Sequence, residues 1–137
     1  MTKTIDLRQP KYDLRKARVG TVVITSKGFK FKLMSRKTKK ECWLDCTSKA
    51  IWHDREDKTY THYEAVRKFG DALPTIEEFK EAETHGFREV LPNMEHWFWS
   101  SSLNPNGTGF AQDFYGNGGS SNYYSRDYYK SVRCVGR

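Results

Sequence analysis

The stretch THYEAVRKFGDALPTIEEFKEAETHG, residues 61–86, restricts the possible folds of this chain more than any other. It contains Thr-x-x-Glu twice, Thr61 with Glu64 and Thr75 with Glu78. In such a box the threonine hydroxyl accepts a hydrogen bond from the third helical amide, and the glutamate reaches back to the cap amide. Gly70 and Gly86 stand where a helix stops in the left-handed region. The pattern predicts two short helices, one from Thr61 to Gly70 and one from Thr75 to near Gly86. Helices this short are marginal alone, so each must bury a face against something else. The i, i+3 spacing assigns Tyr63, Val66 and Phe69 to one buried stripe and Ile76, Phe79 and Ala82 to the other.

Strand patterns lie on both sides of this helical stretch. VGTVVIT and GFKFKLM are separated by Ser26 and Lys27, and Phe29, Phe31 and Leu33 alternate with Lys30 and Lys32. That period of two predicts a β-hairpin with its lysines in water. CWLDC and AIWHD read as further strands, and DREDK as a charged turn. After Pro92 come HWFWSSS, GFAQDFY, SSNYYS and KSVRCV, joined by the turn-forming LNPNGTG and GNGG. The order strands, two helices, strands predicts an α+β fold, and 137 residues fit one domain. Residues 1–18 lack periodicity and read as a basic arm, leaving 19–137 as the domain. Because 15% of residues are aromatic, the core is expected to be built from rings.

Several function classes are not expected. No run approaches the roughly 20 apolar residues of a membrane span, and MTKTIDLRQPKYDLRKARVG has no apolar stretch after its charges, so neither membrane insertion nor a signal peptide is read. Cys42, Cys46 and Cys134 form an odd set that fits free thiols better than a disulfide framework. Cys42 and Cys46 with His53 and His62 are too widely spread for a usual zinc finger, and no nucleophile signature accompanies His85 or His96. The histidines therefore read as surface or capping residues. GNGG lacks the Lys-Ser/Thr of a phosphate loop and reads as a turn. No catalytic residue, metal or cofactor is assigned. The charge is uneven: residues 1–50 hold 14 Lys/Arg against 4 Asp/Glu, although the whole chain carries a net +7. An acidic partner or nucleic acid could dock on that first third.

LPTIEEF at 73–79, WFWSSS at 97–102, GFAQDFY at 109–115 and VRCV at 132–135, in this order, resemble the Lcl C-terminal-like domain, a bacterial and phage family with a C-type-lectin fold. The resemblance runs from about Trp52 to Arg137. It implies an antiparallel sheet in which N- and C-terminal strands pair, two flanking helices, and a long loop-rich face that binds protein or glycan, often at the tip of an adhesin or phage fibre. By position, Leu73, Pro74 and Thr75 correspond to the turn opening the second helix, Trp99 to a buried tryptophan, Phe114 to its strand partner and Cys134 to the terminal core strand. Trp99 and Phe114 are accordingly expected to be buried together. The chain departs from the family pattern at RKFGDALPT, which lacks the cysteine that commonly bridges to the terminal one. The Glu-Pro-Asn or Gln-Pro-Asp triplet of calcium-dependent sugar-binding relatives is also missing. A single Cys134 cannot supply the cysteine pair of formylglycine-generating enzymes, which share the broad fold.

The candidate ligand surface comprises Asn104, Asn106, Tyr115, Asn117, Ser121, Asn122, Tyr123, Tyr124, Ser125, Arg126, Asp127, Tyr128 and Tyr129. In SSNYYSRDYY four tyrosines stand among serine, asparagine, aspartate and arginine, a mixture suited to recognition because rigid rings give contact area at low entropy cost. Every residue from Asp113 to Tyr129 belongs to the set reachable from an asparagine-type codon by changing its adenines and keeping the pyrimidine third base. Retroelements diversify some domains of the resembled fold in this way. The expectation is a non-enzymatic recognition domain, with a nucleic-acid-associated or assembly protein acting through the basic third as the alternative. Compartments compatible with the sequence are the cytoplasm, a phage particle, or export by a signal-independent route.

Overall fold

The computed structural model describes residues 3–8, 14–37 and 40–137. In chain order the elements are β1 (Thr4–Asp6), β2 (Val22–Ile24), β3 (Lys30–Lys37), β4 (Lys40–Asp45), β5 (Ile51–Arg55), α1 (His62–Phe69), α2 (Ile76–His85), β6 (Trp97–Asn104), β7 (Gly107–Tyr115), β8 (Ser121–Ser125) and β9 (Arg133–Gly136). They form an α+β fold of two sheets and two short helices, with strand orders β1-β2-β3-β4-β5-β9 and β6-β7-β8.

The predicted hairpin is β2–β3. The Thr25 amide donates to the Phe29 carbonyl at 2.8 Å, and Gly28 takes a φ of 85° in the turn between them. Phe31 and Leu33 are sealed, while Lys30 is exposed. Both capping boxes are complete: Thr61 and Thr75 each accept from the third helical amide, and Glu64 and Glu78 return to the cap amides at 2.9 Å. A cap of this kind contributes about 1 kcal/mol.

The helix phases differ from each other in how they meet expectation. α2 buries Ile76, Phe79 and Ala82 as the spacing predicts, and adds His85. α1 instead buries His62 and Ala65, leaving Tyr63 and Val66 in solvent. The reason is that the His62 ring makes two hydrogen bonds inside the protein, which turns its stripe inward. His62 and His85 are thus interior groups rather than surface ones. The Asp45 carboxylate meets His85 Nδ1 at 2.6 Å, and the Phe29 ring stacks on His85 at 4.1 Å.

Two apolar clusters lie on opposite faces of β6. Phe98 joins Phe79, Phe87, Phe114 and Trp52 in the larger, while Trp99 joins Ala65, Leu73, Ala111 and Val132 in the smaller. The register explains this: Phe98 stands opposite Phe114, and Trp99 opposite Asp113. Trp99 and Phe114 are both fully buried, but in separate cores, so the expectation that they pack together is corrected.

Three features implied by resemblance or composition are revised. The large sheet is mixed, because β1 runs parallel to β2. The first and last strands of the whole chain do not pair, since β1 and β9 hold opposite edges; β9 pairs instead with β5, the first strand of the stretch that carries the resemblance. The described residues of the expected arm are integral, since Ile5 and Ala17 are buried in the larger core; residues 1–2 and 9–13 lie outside the described set. Ile5 has a core-facing position on an edge strand, and this holds the segment in place.

Arg133 clasps the two sheets together. Fully buried, it donates from Nη1 to the His53 carbonyl at 2.7 Å and from Nη2 to the Pro92 carbonyl, and it lies over the Phe98 ring. Burial pushes its pKa down to about 10. The Cys134 thiol beside it is half-buried and unpaired, and burial pushes it up to about 11.

Candidate ligand-recognition surface

The small sheet displays the predicted residues along its edge strand. β8 pairs with β7 so that Ser125 stands opposite Phe110, Tyr124 opposite Ala111, Tyr123 opposite Gln112, Asn122 opposite Asp113 and Ser121 opposite Phe114. Residues directly across a ladder share a face. Tyr123 therefore projects on the side of Phe110 and Gln112, and Tyr124 on the side of Asp113. Tyr123, Tyr124, Tyr128 and Tyr129 are 46%, 40%, 56% and 66% exposed, so none of the four rings belongs to the core.

A charged foundation lies under these rings. The Lys130 ammonium, nearly buried, meets Asp113 Oδ2 at 3.0 Å and lies 3.8 Å from the centre of the Tyr124 ring, with Trp99 at 5.5 Å and Trp97 at 5.8 Å. Asp113 is fully buried and also accepts from the Asn122 amide at 2.9 Å. Desolvation raises the Asp113 pKa, and the Lys130 partner opposes that rise. Tyr128 packs edge-on against Tyr124 at 5.7 Å.

A second support comes from α1. Arg126 donates from Nε to His62 Nδ1 at 2.8 Å and stacks over the Tyr63 ring at 4.0 Å, while His62 Nε2 meets the Ser100 carbonyl at 2.8 Å. These partners assign a neutral ring, with Nε2 donating and Nδ1 accepting. Desolvation, and then the Arg126 charge, lower the His62 pKa; the Ser100 contact opposes them. The unfolded chain therefore takes up this proton first as the pH falls. The stability contributed by neutral His62 is complete above about pH 6.5, the ordinary histidine value, and is lost as pH falls towards the lower folded value. Denaturant midpoints should drop between pH 7 and pH 5, and His62→Gln should flatten part of that slope. His96, whose pKa is also lowered first by desolvation, contributes in the same direction.

The remaining predicted residues serve the turns. Asn104 Oδ1 accepts from the Asn106 amide at 2.9 Å, shaping the β6–β7 turn. The Gly109 carbonyl accepts from the Arg126 amide, so that turn shares its end of the sheet with Arg126 to Tyr129. Tyr115 and Asn117 lie at the other end: the Tyr115 amide donates to the Ser120 carbonyl, its ring packs on Trp97 at 4.9 Å, and the Asn117 carbonyl accepts from Arg88. Ser121 Oγ accepts from Gln112 Nε2, and Ser125 Oγ from the Asp127 amide. The structure thus gathers Ser121 to Tyr129 into one surface, with Asn104 and Asn106 at its end, and sets Tyr115 and Asn117 apart. No protein-family model matches the chain, and no curated protein matches it significantly.

Exposed Phe110 and Tyr63 border this surface, and the sequence reading did not select them. Phe110 continues the alternation that ends in buried Phe114, and only the register shows that it lies past the core. Tyr63 was hidden by the phase of α1. Elsewhere, Cys42 Sγ lies 3.2 Å from His53 Nδ1, but burial raises the thiol pKa, the wrong direction for a nucleophile. Among the described residues no group of three or more His, Cys, Asp or Glu side chains is placed to hold a metal ion, and no helix is long and apolar enough to cross a membrane.

Proposed function

We propose that this is a non-enzymatic recognition domain of C-type-lectin fold, similar to the Lcl C-terminal-like domains, which binds a protein or glycan through Ser121 to Tyr129. The observation that carries the reading is the exposure of four tyrosine rings on a strand and turn whose base is fixed by Lys130 and Arg126. Rigid aromatic side chains beside small polar ones provide contact area with little ordering cost. Tyr128→Ala and Tyr129→Ala are each expected to weaken ligand binding by about 2 kcal/mol while leaving thermal unfolding unchanged, as interface anchors do. Screening glycan and cell-surface protein arrays with the wild type supplies the ligand. Variants that bind as before but melt early would make the stretch packing rather than interface.

The run from Asp113 to Tyr129 also fits retroelement diversification. Asp113, Phe114 and Gly116 are buried, so on this reading useful variation falls on exposed Asn117, Asn122 to Tyr124 and Asp127 to Tyr129. Sequencing the gene should find pyrimidine third bases at those codons, and purines there would end the idea.

The competing reading, a nucleic-acid-associated or assembly protein, is supported by exposed Lys27 and Lys30, which have no ion-pair partner among the described residues, whereas Arg36 and Lys40 are held by Glu41 and Asp57. Binding through those lysines should collapse with added salt, and tyrosine-centred binding should not.

A further inference from the structure

The ladder between β7 and β8 determines which backbone groups β8 leaves open. The Arg126 amide donates to the Gly109 carbonyl, and the Tyr115 amide to the Ser120 carbonyl. In an antiparallel pair, hydrogen-bonded and non-hydrogen-bonded pairs alternate. The 111/124 and 113/122 pairs are therefore bonded, and Ser121, Tyr123 and Ser125 turn their N–H and C=O groups away from β7. The Ser125 carbonyl is taken by the Tyr128 amide. No described residue meets the Ser121 or Tyr123 main-chain groups or the Ser125 amide.

The other edge of this sheet is closed. Along β6 the Trp99 amide donates to the Ser131 carbonyl, the Ser131 amide to the Trp97 carbonyl, and the Ser101 amide to the Pro74 carbonyl. Edge strands are usually protected by proline, by charge or by short length. β8 reads Ser-Asn-Tyr-Tyr-Ser, with neither proline nor charge.

We propose that β8 takes up an extended, acidic polypeptide segment from another protein as a fourth strand of this sheet. The proposal rests on the recognition reading above and specifies its partner. An open row of main-chain donors and acceptors, repeating every second residue, matches an extended backbone, and a glycan has no comparable repeat. Alternate side chains of such a strand meet Tyr123 and Phe110 on one face and Tyr124 and Tyr128 on the other. The charge preference comes from the border. Exposed Arg67, one turn along α1 from Tyr63, and half-buried Arg126 outweigh exposed Asp127. That positive charge also opposes pairing of β8 with a second copy of the chain.

The test is selection from a display library of random octapeptides against the whole chain, followed by synthesis of the selected peptides. Peptides with alternating apolar positions and excess Asp or Glu are expected. N-methylation at one alternate set of residues should weaken binding about tenfold or more, and at the other set hardly at all, because only every second amide faces β8. On binding, the amides of Ser121, Tyr123 and Ser125 should become protected from hydrogen exchange. Ser121→Pro should weaken binding by a similar factor. The exchange measurement on the unmodified chain decides the matter if that variant misfolds.

Equal sensitivity to both N-methyl sets, unprotected amides, or no selected peptide would overturn strand addition. A dimer in sedimentation that Ser121→Pro dissolves would do the same. If tyrosine-dependent binding of a glycan or a folded protein survives any of these results, the proposed recognition surface still stands. If all binding ignores the tyrosine variants, that surface falls as well.

Discussion

Trp99→Ala is expected to lower the unfolding free energy by about 3–5 kcal/mol, the range for removing a large aromatic from a core. Trp99 is fully buried among Ala65, Leu73, Ala111 and Val132, its indole N–H donates to the Tyr60 carbonyl at 2.9 Å, and its ring meets His62 edge-on at 5.1 Å. The substitution therefore leaves a cavity and removes one of the two hydrogen bonds that the Tyr60 carbonyl accepts, the other coming from the Lys130 amide. Urea unfolding measures the effect through the midpoint at constant slope. A loss below about 1 kcal/mol would mean that the smaller core collapses around the gap or is not formed.

Lys130→Met should cost a comparable amount at pH 7, on the order of 3–5 kcal/mol, because it strands the Asp113 carboxylate in the interior. The sign with pH follows from Asp113. Its pKa already lies above the ordinary carboxylate value through desolvation, and losing the ammonium raises it further. In the variant the folded state binds this proton more tightly than the unfolded state does. The penalty is therefore greatest well above the raised folded value and shrinks as the pH falls through it. Adding Asp113→Asn should recover much of the loss at pH 7, since the pair is then replaced by groups without a buried charge. A penalty independent of pH would show that packing against Tyr124, and not the charge, is what Lys130 contributes.

Local chemistry was legible in the sequence, and pairing across distance was not. The two caps could be read from Thr61, Glu64, Thr75 and Glu78 because the whole interaction lies within four residues. The alternation in GFKFKL gave β3 its faces for the same reason. The phase of α1 was misread because Tyr63, Val66 and Phe69 form an apolar stripe, while the competing stripe contains a histidine. Only its distant partners, Arg126 and the Ser100 carbonyl, show why His62 is inside. The separation of Trp99 from Phe114 depends on the β6–β7 register, which composition does not encode. At the surface, the tyrosine stretch was recognisable from its small polar neighbours, whereas Phe110 and Tyr63 resembled core residues.

The pairing of β5 with β9 affects how the chain reaches this structure. It joins residues 51–55 to 133–136 and closes a loop that contains both helices and the whole small sheet. Just inside the junction, Tyr60 and Lys130 exchange two main-chain bonds of 2.9 Å, which narrows the neck of that loop. Closing a flexible loop of this size costs on the order of 4 kcal/mol in chain entropy before any contact compensates. The meander β2-β3-β4-β5 bears no such cost, since each strand pairs with its neighbour in sequence. The topology thus favours an order of events in which the meander forms early and the neck zips late. The tyrosine-bearing edge, carried by the equally sequential meander β6-β7-β8, is fixed relative to the large sheet only when that last closure is made.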